Sequence, residues 1–160
     1  MNQNGPKRHD RIAWIEGDLT REIIAAFYTV YNTFGFGLLE SVYANALAIE
    51  LRARGLRVER EVPVEVYYLG LLAGRFRLDL VVEAKVLIEC KATELLSPAV
   101  RPQVFNYLRC SSYPIALLMH FGPAPKHYRY IRPDLLKTAD PMNQSGLKGH
   151  GEAERTKRTR

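Results

Sequence analysis

The sequence lacks the residue patterns that mark several large classes of protein. It has two cysteines, Cys90 and Cys110, which are too few for a disulfide framework, and its four histidines show no zinc-site spacing with either cysteine. It contains no P-loop, no GxGxxG pattern and no internal repeat, so nothing in it indicates a common nucleotide-binding fold or a repeat architecture. Its longest apolar runs, such as residues 114–119, are far too short to cross a bilayer, so we expect no membrane contact.

The start of the chain and the charge distribution predict a single folded domain between two polar ends. Residues 1–10 are polar and no apolar segment follows them, so we expect no signal peptide and a reducing, cytoplasmic location. The 160 residues suffice for one domain with a sizeable core. We expect a disordered N-terminus over residues 1–10, a folded domain over 11–136 and a flexible basic tail over 137–160. The net charge of +6 is concentrated at the ends, and the tail either binds nucleic-acid phosphates or serves only solubility.

One stretch, RFRLDLVVEAKVLIECKAT over residues 75–93, has the most informative pattern in the chain. Its apolar residues alternate with period two, which predicts strands over 75–82 and 86–91 joined by a tight turn. The opposite face of this hairpin would carry charged residues, among them Asp79 and Glu89. The buried face would carry Phe76, Leu78, Leu80, Val82, Val86, Ile88 and Cys90.

The length of the turn decides whether Asp79 and Glu89 meet. A three-residue loop over 83–85 places them opposite each other on one face, whereas a two-residue loop would put them on opposite faces. Two carboxylates about 5 Å apart repel each other unless a cation lies between them. Mg²⁺ or Mn²⁺ held there, with Lys91 beside it, would suit metal-assisted hydrolysis of a phosphodiester. The alternative is that these charges are solvated, or form weak ion pairs on the outer face of a sheet.

The order of these charged residues resembles a known signature. Asp79, Glu89, Cys90 and Lys91 resemble the D…ExK motif of the PD-(D/E)XK nuclease superfamily, although Leu78 stands at the position of the motif's proline. The resemblance implies that Asp79 and Glu89 hold Mg²⁺ or Mn²⁺ and that the backbone carbonyl of Cys90 is a further ligand. It also implies that Lys91 positions the attacking water and offsets charge on the phosphate.

A second motif lies at the start of a predicted helix over residues 38–54. Gly37, Glu40 and Tyr43 resemble the signature of the GxxExxY proteins, a family of bacterial proteins within the same superfamily. The resemblance covers residues 12–131 and implies that Glu40 is another metal ligand; the alternative is an ordinary surface glutamate. We expect this helix to bury one stripe and to carry Glu40, Tyr43 and Leu47 on the adjacent one. The expected buried stripe consists of Leu39, Val42, Ala46 and Ile49.

A further helix is expected from about residue 102, because Pro102 has no amide hydrogen and suits the first turn of a helix. Gln103 and Tyr107 lie one turn apart on it, at the Q-x-x-x-Y spacing of recombination-type exonucleases of the superfamily. That resemblance implies that both residues contact nucleic acid beside the active site. The alternative is that Tyr107 packs on the sheet and Gln103 is solvated.

These elements predict an α+β fold with a mixed β-sheet flanked by helices in the order αβββαβ, which is the restriction-endonuclease-like core of the superfamily. An apolar run over residues 114–119 would form a buried strand, reached through a helical crossover and parallel to its neighbour. The resemblance implies a metal-dependent nuclease acting on nucleic acid, DNA in preference to RNA, with a homodimer as an open alternative. The competing hypothesis is a non-catalytic interaction or nucleic-acid-binding module, because fold does not determine function.

Overall fold

The computed structural model describes residues 15–137. The expected disordered N-terminus and the basic tail beyond residue 137 lie outside the described residues. No helix in the described range is long and apolar enough to cross a membrane. The elements, in chain order, are α1 (Gly17–Phe34), α2 (Glu40–Ala53), β1 (Val58–Tyr68), β2 (Leu71–Val82), β3 (Val86–Lys91), α3 (Val100–Cys110), β4 (Ile115–His120), β5 (Lys126–Ile131) and α4 (Pro133–Lys137).

The five strands form one mixed sheet in the order β1-β2-β3-β4-β5. Strands β1, β2 and β3 pair antiparallel as a meander, β4 lies parallel to β3, and β5 returns antiparallel to β4. A parallel pair needs a crossover connection, and α3 supplies it. This confirms the α+β class and the αβββαβ order; β5 and α4 follow that core in the chain.

Helices cover both faces of the sheet. Helices α1 and α2 pack on one face through residues such as Phe27 and Leu47, and α3 packs on the other through Val104 and Leu108. Strand β4 is buried along its whole length because it lies between these two layers. Because β3 and β4 are parallel, their carboxyl ends lie at the same edge of the sheet, and that edge carries the candidate site.

The expected buried face of the β2–β3 hairpin is correct from Leu80 onward and wrong for Phe76 and Leu78. Leu80 packs against α1 and α2, whereas Leu78 and Phe76 pack on the α3 side. The pairing of β1 with β2 skips Glu61 and Asp79, and Glu61 has a left-handed φ of 51°. The alternation of side chains between the two faces therefore breaks at Asp79. The period-two pattern of the sequence had predicted unbroken alternation there.

Helix α2 buries a different stripe from the expected one. Leu39 and Ile49 are 74% and 66% exposed, whereas Tyr43 and Leu47 are fully buried. The ring of Tyr43 stacks on that of Phe121, with centroids 4.3 Å apart. The apolar spacing within α2 was compatible with burial of either stripe. The contact of Tyr43 with the segment after β4 accounts for the observed rotation of the helix, in which the stripe of Tyr43 and Leu47 is buried.

Candidate active site

The β2–β3 hairpin brings Asp79 and Glu89 together, as the three-residue loop predicts. Leu80 pairs with Ile88 in the last position of the ladder, and Asp79 and Glu89 occupy the next positions outward. Beyond that pair, Oδ2 of Asp79 accepts a hydrogen bond from the backbone N–H of Cys90 at 2.7 Å. A side-chain carboxylate thus satisfies a strand N–H at the point where main-chain pairing stops.

The ammonium group of Lys91 contacts two further carboxylates. Its Nζ donates to Oε1 of Glu89 at 2.6 Å and lies 3.5 Å from Oε1 of Glu40. Oε2 of Glu40 accepts a hydrogen bond from the backbone N–H of Ala92 at 3.2 Å. Because Glu40 is the first residue of α2, the start of that helix meets the end of β3 here. Carboxylates from two separate segments therefore contact one ammonium group, and the charge of Asp79, from a third segment, also acts on it.

Burial makes these charges interact strongly. Glu89 is only 3% exposed, and burial, followed by the neighbouring Asp79 charge, raises its pKa from 4.5 to about 7. Burial also raises the pKa of Asp79, although the Cys90 N–H and the Lys91 charge oppose that change. Burial disfavours the charged form of Lys91, yet its hydrogen bond to Glu89 and the surrounding carboxylates raise its pKa overall. The site therefore holds more negative than positive charge and favours a cation.

Helix α3 completes the site with two polar side chains. Gln103 Nε2 donates to Oε1 of Glu89 at 3.3 Å and to the hydroxyl of Tyr107 at 2.5 Å. The ring of Tyr107 stacks on that of Phe76, with centroids 4.6 Å apart. The structure thus brings Gln103 and Tyr107 to the carboxylate of Glu89. Tyr107 both packs on the sheet and faces the site, so the two alternatives for this residue hold together.

Gly37 and Tyr43 of the GxxExxY motif stabilise the loop that leads into α2 and positions Glu40. Gly37 has a φ of 120°, which residues with a Cβ rarely adopt. The hydroxyl of Tyr43 donates to the carbonyl of Gly35 and accepts a hydrogen bond from the backbone N–H of Leu38. The glycine and the tyrosine therefore shape the turn into α2, and the glutamate between them is the residue presented to the site.

Comparison with known proteins identifies the family. A family model described as the PD-(D/E)XK nuclease superfamily matches residues 17–132, a range that includes every predicted site residue. The chain belongs to the PD-(D/E)XK nuclease superfamily. Among solved structures, the crystal structure of SSO0001 is similar at 20% sequence identity with a TM-score of 0.48, over 81% of this chain and 65% of that one. No curated protein matches this chain significantly.

Nucleases of the PD-(D/E)XK superfamily typically use divalent metal ions, and the donor atoms here are suitable for one. Within the part of the chain that is described, no three His, Cys, Asp or Glu side chains are arranged to hold an ion by themselves. Lys91 lies against Glu89 and Glu40 instead, and Asp79 is directed at the N–H of Cys90. Mg²⁺ and Mn²⁺, however, bind through one or two carboxylates, with water and phosphate oxygens completing the shell. A cation would also offset the burial of charge that raises the pKa of Glu89.

Three further residues near the site behave in ways that the superfamily motif does not describe. The thiol of Cys90 is buried in the core beneath α1 and α2, so this residue can contribute to the site only through its backbone. The stacking of Phe76 on Tyr107 was missed, because alternation placed Phe76 on the other face. His120, at the end of β4, donates from Nε2 to the carbonyl of Thr93 at 2.7 Å.

Proposed function

We propose that the protein is a metal-dependent nuclease of the GxxExxY family that hydrolyses phosphodiester bonds in nucleic acid. The observation that carries the proposal is that Glu40 and Glu89 both contact the ammonium of Lys91, while Asp79 lies opposite Glu89 and accepts the N–H of the neighbouring Cys90. Membership of the superfamily supports nuclease-type chemistry in general. The loop before α2 supports the narrower family, because the glycine and the tyrosine of the GxxExxY motif stabilise that loop and its glutamate is the residue presented to the site.

The cofactor in this proposal is Mg²⁺ or Mn²⁺. Asp79 and Glu89 would hold it, with the backbone carbonyl of Cys90 as a further ligand and Glu40 completing or orienting the site. The ion supplies positive charge for the phosphate and lowers the pKa of a bound water. The protein's contribution is to keep two carboxylates largely out of water, where they interact more strongly with a cation than exposed carboxylates do.

Lys91, Gln103 and Tyr107 would handle the substrate. The raised pKa of Lys91 keeps its amine protonated at neutral pH, so it donates hydrogen bonds to the attacking water and to the developing charge on the phosphate. Gln103 and Tyr107 are hydrogen-bonded to each other and adjoin Glu89, which supports a role in holding the strand next to the scissile bond. DNA is favoured over RNA because their spacing resembles that of exonucleases that hold DNA ends.

Two properties outside the site accompany the proposal. A cytoplasmic location is compatible with Cys90 and Cys110, which are both free thiols. A homodimer is a separate prediction from the resemblance to the superfamily, and light scattering on the purified protein would test it.

The test is a cleavage assay with Mn²⁺ or Mg²⁺ on single- and double-stranded DNA and RNA. Asp79→Asn keeps an oxygen that can accept the N–H of Cys90 but removes the charge, so we expect a loss of activity of about a hundredfold or more. Lys91→Met should behave similarly. The matched control is Glu50→Gln, which neutralises a carboxylate that is paired with Arg54 on α2, and it should leave activity unchanged. Equal activity of Asp79→Asn and the parent protein would refute the mechanism.

The second candidate is a non-catalytic module that keeps the nuclease fold and binds nucleic acid or another partner. The contact that favours it is the 2.6 Å ion pair of Lys91 with Glu89, which partly neutralises the site without any metal. Calorimetric titration with Mn²⁺ separates the candidates. Binding that disappears in Asp79→Asn supports the nuclease, and no binding at millimolar concentrations supports the module.

A further inference from the structure

Next to the candidate active site, two adjoining clefts run along the edge strand β5. One has a volume of about 680 Å³ and lies between β5 and the start of α3, and the other, of about 320 Å³, lies between β5 and the loop that follows β3. Leu96 and Tyr128 line both clefts, so the two are adjacent and are described together as one groove. We name it the β5 groove.

One end of the β5 groove lies two strands away from the proposed catalytic lysine. Lys91 is the strand neighbour of His120 in the parallel ladder, and His120 is the strand neighbour of Lys126 in the antiparallel one. Since neighbouring strands are about 4.8 Å apart, the backbone of Lys126 lies roughly 10 Å from that of Lys91. His120 lines the groove and is 4% exposed, and its Nδ1 has no hydrogen-bond partner among the described residues.

One face of β5 presents a cation followed by aromatic rings. Lys126, Tyr128 and Tyr130 occupy alternate positions, so they project on the same side at intervals of roughly 7 Å. Tyr130 packs with the α3 cluster, which identifies this side as the face that also carries Glu89 and Lys91. Tyr128 is 39% exposed, so part of its ring is available to a ligand.

The charge of the groove favours phosphate. Arg101 and Lys126 line it, and neither makes an ion pair with any described carboxylate, whereas Arg75 and Arg77 on the β1–β2 hairpin are paired with glutamates. Glu94 is the one carboxylate among the described lining residues. The guanidinium of Arg101 lies over the ring of Phe105, 5.8 Å from its centroid, and so has a ring contact but no ion pair with a described carboxylate. Cations interleaved with aromatic rings are the arrangement by which proteins bind single-stranded nucleic acid, with cations on phosphates and rings on bases.

We propose that the β5 groove binds a single strand of nucleic acid and leads it to Lys91 and Glu89. The inference rests on the proposed nuclease function and specifies its substrate, which is a single strand or an unpaired end in preference to a continuous duplex. Tyr128 would stack on a base, and Arg101 and Lys126 would contact phosphates. A duplex would not offer Tyr128 an unstacked base.

The test is binding, which can be measured without cleavage. Fluorescence anisotropy in EDTA would compare a labelled oligothymidylate with a duplex of the same length, using the full chain. We expect the single strand to bind more tightly. We expect Tyr128→Ala to weaken that binding by about tenfold and Tyr128→Phe, which keeps the ring, to bind like the parent. Tyr68→Ala is the matched control, because Tyr68 is 71% exposed at the far end of the β1–β2 hairpin, and it should bind like the parent.

A second pair of variants tests the phosphate contact. Arg101→Gln should weaken binding. The slope of log affinity against log salt concentration should become shallower by about 1, which corresponds to the loss of one phosphate contact. Arg77→Gln, which removes an arginine paired with Glu61, should change neither. Parent-like binding by both Tyr128→Ala and Arg101→Gln, or a preference of the parent for the duplex, would overturn the proposal. A parent that binds through the groove but never cleaves would overturn the nuclease function alone, since binding and cleavage are measured separately.

Discussion

Replacing Glu89 by glutamine should stabilise the metal-free protein at about pH 8 while removing its proposed activity. Glu89 is 3% exposed, and burial together with the Asp79 charge raises its pKa from 4.5 to about 7. Each unit of difference between the folded and unfolded pKa corresponds to about 1.4 kcal/mol. Ionisation of Glu89 therefore lowers the free energy of unfolding by about 3 kcal/mol once the pH is well above 7.

The direction of the pH dependence follows from proton binding. Between pH 4.5 and about 7, the folded protein keeps a proton on Glu89 that the unfolded chain has lost. Stability from this group is thus greatest below pH 4.5 and falls as the pH rises to about 7. The glutamine variant has no titrating group at this position and lacks that slope. The hydrogen bonds from Lys91 and Gln103 can still be accepted by its side-chain oxygen.

The measurement is urea denaturation of the parent and Glu89→Gln in EDTA at several pH values, followed by circular dichroism. The advantage of the variant in free energy of unfolding should grow by about 3 kcal/mol between about pH 4.5 and pH 8. Added Mg²⁺ should stabilise the parent at pH 8 and leave the variant unchanged. If the variant gains nothing over the parent as the pH rises, the ion pair with Lys91 fully offsets the burial of the charge, and the reasoning is refuted.

Three other predictions test the positioning loop, the rotation of α2 and a surface carboxylate. Gly37→Ala places a Cβ at a φ of 120°, so we expect a loss of about 1 kcal/mol or more in the free energy of unfolding measured by urea denaturation. The proposed activity should also fall, because α2 would be misplaced. Leu47→Ala should lower the free energy of unfolding by about 2–5 kcal/mol and Ile49→Ala by less than about 0.5 kcal/mol, because only Leu47 is buried. Equal losses would contradict the observed orientation of α2. The backbone N–H and guanidinium of Arg57 lower the pKa of Glu83 below 4.5, so Glu83 stabilises the fold above that pH and loses this effect as the pH falls through its folded pKa. Glu83→Gln should be less stable than the parent at neutral pH, and acid titration of both proteins should show the difference closing in acid.

The local pattern of the sequence determined the hairpin on which the site is built. Alternation identified both strands, and three residues between Val82 and Val86 determined their register. Register is a local property here, because the length of the connecting loop fixes which residues of the two strands lie opposite each other. The proximity of Asp79 to Glu89 follows from that register alone, and the charged residues at the end of β3 already carried the superfamily signature.

Only the tertiary structure decided which way several side chains face. The rotation of α2 depends on the stacking of Tyr43 on Phe121, and these two residues lie far apart in the sequence. The break in alternation at Asp79 coincides with the unusual backbone of Glu61 on the neighbouring strand. The contact of Gln103 with Glu89 exists because α3 packs across the sheet. The periodicity of one segment does not predict these side-chain orientations, since each depends on the shape and chemistry of a segment that is distant in the chain.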